Sequence, residues 1–475
     1  MTTLSRRTML KSIATGTGAL AVGSPVTNGI GGTFSTGEGE SCKWTGAITP
    51  KVRVICVGMA KGVQKWPNVD YDPIEGTKIL REKFSTIPNM NFTGFDVVTT
   101  GDEAKEIGKR LGDEDGVLLC ALASAPMGYP QMITWDKPTI IYNFLYQGCT
   151  SFLSGIDALK TARAKVVLLS SSRDEDLLEK LHLFRVIKNL KETKVLLFRD
   201  RNLPGLDFYQ NAKTKLGVEI KPMGHEPLNE AFNAVSPAEA EKEADRWIRE
   251  ARAVLEPSRQ DIVTSSRFYL GLRKLMEEER AKASTIDCLG LFYAKALPAF
   301  PCLAFVRLND IGLTGVCESD INATLTQILI GYLGNRPGYV SDPVIDTSND
   351  TVIHAHCVAA TQLAGPNGQR DPYIIRNHAE DRKGASLQVL MPVGQVITSA
   401  KFVPFDKMLI STGEIIGNVE IDLGCRTKIT TKVNDATKMM EGYSGGLHRV
   451  IFYGDWVKQT RDLGKLLGFS LVEEC

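Results

Sequence analysis

The stretch KVRVICVG, Lys51 to Gly58, decides how this chain is read. It is a short apolar run rich in valine and isoleucine and closed by a glycine, and it predicts a strand. Working outward, FDVVTT (95–100) predicts a second strand, DEAKEIGKRLG (102–112) a helix and DGVLLCAL (115–122) a third strand. TIIYNFLY (139–146), a helix near SGIDALKTARA (154–164), KVVLLSSS (165–172), a helix through EDLLEKLHLFRVIKNL (175–190) and KVLLFRD (194–200) continue the alternation. Strands alternating with helices at this spacing predict open α/β domains with mostly parallel sheets. The strand that opens the series ends in Gly58 and Gly62 but carries neither G-x-G-x-x-G nor a Walker lysine, so the glycines are read as a turn and a nucleotide site is excluded.

Two long helical stretches, 237–255 and 266–283, precede a strand expected at TIDCLGLFY (285–293). After about residue 340 the pattern changes to strand-like runs with Gly, Asp and Asn turns: TVIHAHCV, PYIIRNH, ASLQVLMP, VITSAKFV, KMLISTGEII, NVEIDL, RTKITTKV and HRVIFYG. A short helix around WVKQTRDLGKLLG closes the chain. The expected fold is therefore α/β, with two open Rossmann-like domains (49–163 and 164–340) followed by a β-rich C-terminal domain (341–475).

The N-terminus has its own character. SRRTMLK (5–11), a weakly apolar stretch and Ala19-Leu20-Ala21 read as a twin-arginine export signal over 1–21, with a Gly/Ser/Thr-rich linker over 22–48. Export to the periplasm or outside the cell is the expectation, and no later stretch approaches the ~18 apolar residues of a membrane span. With 56 basic and 55 acidic residues the net charge is +1, which leaves no electrostatic footprint for nucleic acid or an anionic membrane. A small-molecule partner is expected. None of the ten cysteines forms C-x-x-C, and several lie in apolar strand-like runs as core thiols; disulfides stay open.

Chemistry is sought in two places. In VCESD (316–320), Glu318 and Asp320 precede INATLTQILIGYL, whose apolar residues fit one helical face. Ser319 or Asp320 can cap that helix, and carboxylates at a strand end beside a helix start can also bind a divalent metal or move protons. Four of the six histidines, His354, His356, His378 and His448, fall in the β-rich part. In VIHAHC a regular strand would point His354 and His356 to the same face. Neutral imidazole with carboxylate suits Mn, Fe or Zn.

Several of these stretches, taken in order, carry a family resemblance: PCLAFVRLNDIGLTGVCESDINATLTQILIGYLGNRPGYVSDP (301–343), VIHAHC (352–357), IIRNHAEDRKGASLQVLMPVGQVITSAKF (374–402), GCRTKITTKV (424–433) and GGLHRVIFYGDW (445–456). They resemble the L-fucose and L-arabinose isomerase superfamily. The resemblance implies a divalent metal, usually Mn²⁺, held by two acidic residues and a histidine, and a proton shuttled between C1 and C2 of an open-chain sugar through an enediol. Carried over by position, Asp320 is implied as an acidic ligand with Glu318 in the same motif as its alternative, and both as the catalytic carboxylates. His448 is implied as the metal histidine, and His356, His378 and Arg426 as residues lining the sugar pocket. Relatives also imply a homo-oligomer, a hexamer or trimer. One departure stands out: relatives carry an acid shortly after a cysteine about thirty residues before this motif, whereas here Leu289-Gly290-Leu291 follow Cys288, and Asp287 would face away in a regular strand. That gap and the export signal leave two alternatives beside isomerisation. One is an exported metal-dependent glycoside hydrolase using carboxylates such as Glu318, Asp320 and Glu380; the other is a non-catalytic sugar-binding protein.

Overall fold

A computed structural model describes residues 48–161 and 165–475, with a pair of two-residue strands at Ser35–Thr36 and Glu40–Ser41. The signal reading and nearly all of the linker reading lie outside the described residues. Among the described residues no helix is long and apolar enough to cross a membrane.

The first sheet has five parallel strands, in the spatial order Asn91–Val98, Lys51–Val57, Gly116–Ala121, Thr139–Asn143, Val166–Ser170. Helices cover both faces, which is why Val52, Val54, Ile55, Cys56 and Val57 are buried alike rather than alternately. Helix Pro73–Ser85 shows how local chemistry sets an element. Asp72 accepts from the Ile74 N–H as its cap, proline occupies the first turn, and Thr77, Leu80 and Phe84 form the buried stripe. The last strand of this sheet, Val166–Ser170, follows residue 163, so by sheet membership the first layer extends past that point.

The second sheet has four parallel strands in the order Thr314–Cys317, Ala283–Ile286, Lys194–Phe198, Glu219–Met223. Its second strand is shorter than the sequence suggests. The chain leaves the sheet at Ile286 and turns at Asp287 into helix Cys288–Tyr293, with Gly290 packed so closely on the Asp287 carboxylate that a Cβ there would lie 2.7 Å from it.

The C-terminal part is a closed antiparallel barrel. Its strands run Val396–Val403, Arg449–Tyr453, Tyr339–Asp346, Thr351–His356, Thr427–Lys432, Lys407–Asn418, with the first also pairing with the sixth to close the ring, and Ser470–Glu473 adds to the sixth in parallel. NVEIDL contributes only Asn418 to a strand. A small sheet of Ala253–Val254, Tyr373–Arg376 and Ser386–Val389 lies alongside.

Helix Ile321–Gly334 joins these layers. It packs on strands Thr314–Cys317 and Ala283–Ile286 on one side and on barrel strands Val396–Val403 and Arg449–Tyr453 on the other. A helix so enclosed must be apolar nearly all round, and residues 323–330 are all buried. Asn335, left-handed at φ 48°, ends it. Its N-terminus is therefore where the carboxyl edge of the second sheet meets the barrel.

Candidate metal centre

The turn into this helix is strained. Glu318 and Ser319 both have positive φ, 64° and 49°, and neither is glycine. Each such residue costs about 1–3 kcal/mol, and strain of this kind persists where the surroundings over-determine it. Here the Ser319 N–H donates to the Ile286 carbonyl at 2.9 Å, and the Asp320 Oδ1 accepts from the Ala323 N–H at 2.9 Å as helix cap. The result turns the Glu318 carboxylate toward the barrel.

From the barrel side come His448, Asp342 and His356. The His448 Nε2 lies 3.4 Å from Glu318 Oε2 and 3.3 Å from Asp342 Oδ1, while its Nδ1 is 2.8 Å from Asp320 Oδ2. His356 Nε2 is 3.6 Å from Glu318 Oε1, and the two imidazoles meet edge to face at 5.6 Å. One ligand atom each from Glu318, His356 and His448 fall within 4.8 Å of one another. None of the contacts to Nε2 is a hydrogen bond, and His448 Nε2, His356 Nε2 and Asp342 Oδ1 are all buried without a hydrogen-bond partner. Converging buried donor atoms left unsatisfied, with carboxylates in excess, fit a divalent cation.

Electrostatics agree with that fit. Burial works against charge on His448, but Asp320, Asp342 and Glu318 override it and push its pKa up to about 11, so the three carboxylates call for positive charge at this point. The histidines His356 and His448 hold Glu318 well below the ordinary carboxylate range. Asp320 is also held well below it: burial opposes this, but His448, the Lys401 ammonium and the Ala323 N–H outweigh burial. Lys401, 1% exposed, sits against Asp320 Oδ2, the same oxygen that faces His448. Both Asp320 oxygens are thus engaged by the protein, and the residue stands behind His448, fixing the ring through Nδ1 and presenting Nε2. Glu318 and Asp342 stand on the open side.

His356 carries a tautomeric constraint. The Cys357 N–H donates to its Nδ1 at 3.0 Å, so the neutral ring bears its proton on Nε2 and presents a donor, not a lone pair, toward Glu318. The geometric group includes His356; the tautomer suits it better to a hydrogen bond from Nε2–H.

The remaining sequence candidates lie around this centre. His354 shares the strand but is buried in the barrel, with Nδ1 3.2 Å from the Ser341 hydroxyl and its pKa lowered to about 3 by burial and Arg449. His378 stacks on Phe300 with centroids 4.1 Å apart and is 3.3 Å from Asp381, outside the three-residue group. Arg426 donates to the Asn377 carbonyl and to Asp422, holding the loop that carries His378. Glu380 accepts from the Tyr293 hydroxyl at 3.4 Å. Asp287 has Arg199 3.9 Å away as its ion-pair partner and is not in the metal-type group. The nine described cysteines are free thiols. Sequence reasoning did not single out Asp342 or Lys401, although each is a lone charge inside an apolar strand pattern, YVSDPV and VITSAKFV.

With this geometry established, comparison with known proteins adds a direction. The chain is similar to sulfoquinovose isomerases. Those of Priestia aryabhattai and Priestia megaterium are each 25% identical to it over 310 residues, covering 62% of this chain and 68% of the relative. No family model matches the chain. The likeness agrees, at a distance, with the sugar-isomerase resemblance of the C-terminal half.

Proposed function

We propose that this protein is a metal-dependent aldose–ketose isomerase acting on a fucose- or arabinose-like sugar. The observation that carries the reading is the approach of Glu318 and Asp342 to His448 Nε2 at the junction of the second sheet and the barrel. In this reading Glu318 and His448 hold the divalent metal, most simply Mn²⁺, with Asp342 facing the same point. The metal's contribution is to polarise the sugar carbonyl and adjacent hydroxyl as a Lewis acid. The protein does the rest. Asp320 and Lys401 fix the His448 ring, and His356 donates Nε2–H to a substrate oxygen. A carboxylate oxygen of Asp342 or Glu318 takes the proton from C2 and returns it to C1 while the hydroxyl proton passes from O2 to O1. Asp342 in this scheme supplies the second carboxylate that the stretch after Cys288 lacks. Export on the twin-arginine signal and assembly into a homo-oligomer belong to the same proposal; fractionation of cells and light scattering of the mature chain test them.

The decisive experiment assays purified protein, with and without chelator, against free aldoses and aryl glycosides. Ketose formation abolished by chelation and restored by Mn²⁺ is expected. Metal-dependent release of the aryl group would replace the isomerase with a hydrolase, and ligand-induced thermal stabilisation without turnover would leave a sugar-binding protein.

A further inference from the structure

We propose that Arg199 is a specificity-determining residue that selects sugars bearing an acidic group at the end remote from the reacting carbons. The inference rests on the isomerase reading and concerns the other end of the same cleft. Register across the second sheet aligns Phe198, Ile286 and Cys317 on three neighbouring strands. The next residues, Arg199, Asp287 and Glu318, therefore form a row along the carboxyl edge, the edge where open α/β sheets bind ligands. Two strand spacings put the Arg199 backbone about 10 Å from that of Glu318. A sugar whose C1 and C2 sit at the metal-type centre would extend along this row.

Arg199 is distinguished by what it lacks. Its nearest carboxylate, Asp287, is 3.9 Å from Nε, beyond a hydrogen bond, and Nε is buried with no partner. Tyr209, on helix Leu206–Asn211 after the same strand, likewise has a buried hydroxyl without a partner, and the Arg199 charge is felt at that phenol. The polar neighbours are already matched to each other: the carboxylate of Asp200, the residue after Arg199, accepts from both the N–H and Nδ1 of His225 beyond the next strand, at 3.2 and 2.8 Å. Two buried donors left unsatisfied after the same strand are costly unless something supplies acceptors. A guanidinium with its Nε free, with a second unpartnered hydroxyl following the same strand, is suited to an anionic group with several oxygens, a sulfonate or a carboxylate. Asp287, close enough to temper the charge but not to occupy the donors, keeps Arg199 from being sealed in a closed ion pair.

The test compares the full chain with Arg199→Met and Arg199→Lys on three substrates: an uncharged aldose, glucuronate and sulfoquinovose. The intact protein is expected to prefer an acidic sugar, and the better of the two acids identifies whether carboxylate or sulfonate is read. Arg199→Met is expected to lose roughly 30- to 100-fold in kcat/KM on that acid, mainly through KM, while the uncharged aldose changes less than about threefold. Arg199→Lys, which keeps charge without the fork, should recover part of the loss. An equal loss on charged and uncharged sugars, or a preference of the intact protein for the uncharged one, overturns the inference. Calorimetric titration of both acids separates it from the isomerase reading. If nothing is turned over, that reading fails, yet acid binding abolished by Arg199→Met still supports the role of Arg199, and absence of binding overturns it.

Discussion

Replacing Asp320 with Asn separates the two tasks assigned to that carboxylate. The amide can keep one oxygen on the Ala323 N–H, so the helix cap is preserved and the ~1 kcal/mol of a lost cap does not enter. What is lost is the negative charge between Lys401 and His448. Lys401 is 1% exposed and Asp320 is its ion-pair partner, so the variant leaves a buried ammonium uncompensated, a change of about 3–5 kcal/mol. An upper bound follows from its alternative of giving up the proton: from the ordinary 10.5 to pH 7 this costs about 5 kcal/mol. Asp320→Asn should therefore unfold at markedly lower denaturant, and Asp320→Asn with Lys401→Met should recover most of the deficit. Because burial already lowers the Lys401 pKa, its folded form binds protons less readily than the unfolded chain. The deficit of the single variant should accordingly shrink as pH rises from 7 toward 10. Metal affinity is the second readout: losing the carboxylate behind a metal histidine should weaken Mn²⁺ binding about 10- to 100-fold, and the Lys401 change should not restore it. Urea titrations and Mn²⁺ calorimetry on the three variants measure both. Unchanged metal affinity together with wild-type stability in Asp320→Asn would refute the reasoning.

Three further outcomes are expected. His356→Asn should retain stoichiometric metal while raising KM for sugar, as measured by metal analysis and steady-state kinetics; loss of the metal would make His356 a ligand instead. Glu474→Gln breaks the buried two-point pair with Arg449, whose guanidinium also holds the carbonyls of Ser444, Gly446 and His448, so a stability loss of about 3 kcal/mol should come with weaker Mn²⁺ binding. Asp371 has its pKa raised to about 6 by burial, against the opposing hydrogen bond from Tyr453, so the folded state holds its proton more tightly than the unfolded chain does. Stability should fall by up to about 3 kcal/mol as pH rises from 4 through 6, and urea titrations of Asp371→Asn should show that this part of the slope has gone.

The parallel sheets were legible because strands covered on both faces must be apolar at nearly every position, and GVLLCA and the run after Arg53 in KVRVICV are. The β-rich part was legible through its short, turn-bounded runs, but closure of six strands into a barrel was not, since it depends on the pairing of Val396–Val403 with Lys407–Asn418 in three dimensions. The end of strand Ala283–Ile286 was misjudged because LGLFY is as apolar as a strand, and only tertiary packing makes Cys288–Tyr293 a helix. VCESD stood out because carboxylates beside an apolar helix are conspicuous. The different placing of the Glu318 and Asp320 carboxylates was invisible, because it follows from two left-handed residues that no composition rule announces.

That strained turn also bears on the acid missing after Cys288. Glu318 and the Asp287 position lie at the ends of adjacent parallel strands, so an acid on the neighbouring strand would approach the metal-type centre from the sheet side. In this chain the strand ends at Ile286 and Asp287 is associated with Arg199 instead. Asp342, on a barrel strand hydrogen-bonded to the one that begins just after His448, reaches His448 Nε2 from the opposite layer. Two layers meeting at one helix N-terminus give two independent routes to the same point in space. An acid can therefore disappear from one layer without emptying the centre of carboxylates, and the residue freed on the sheet edge becomes available to shape what binds beside it.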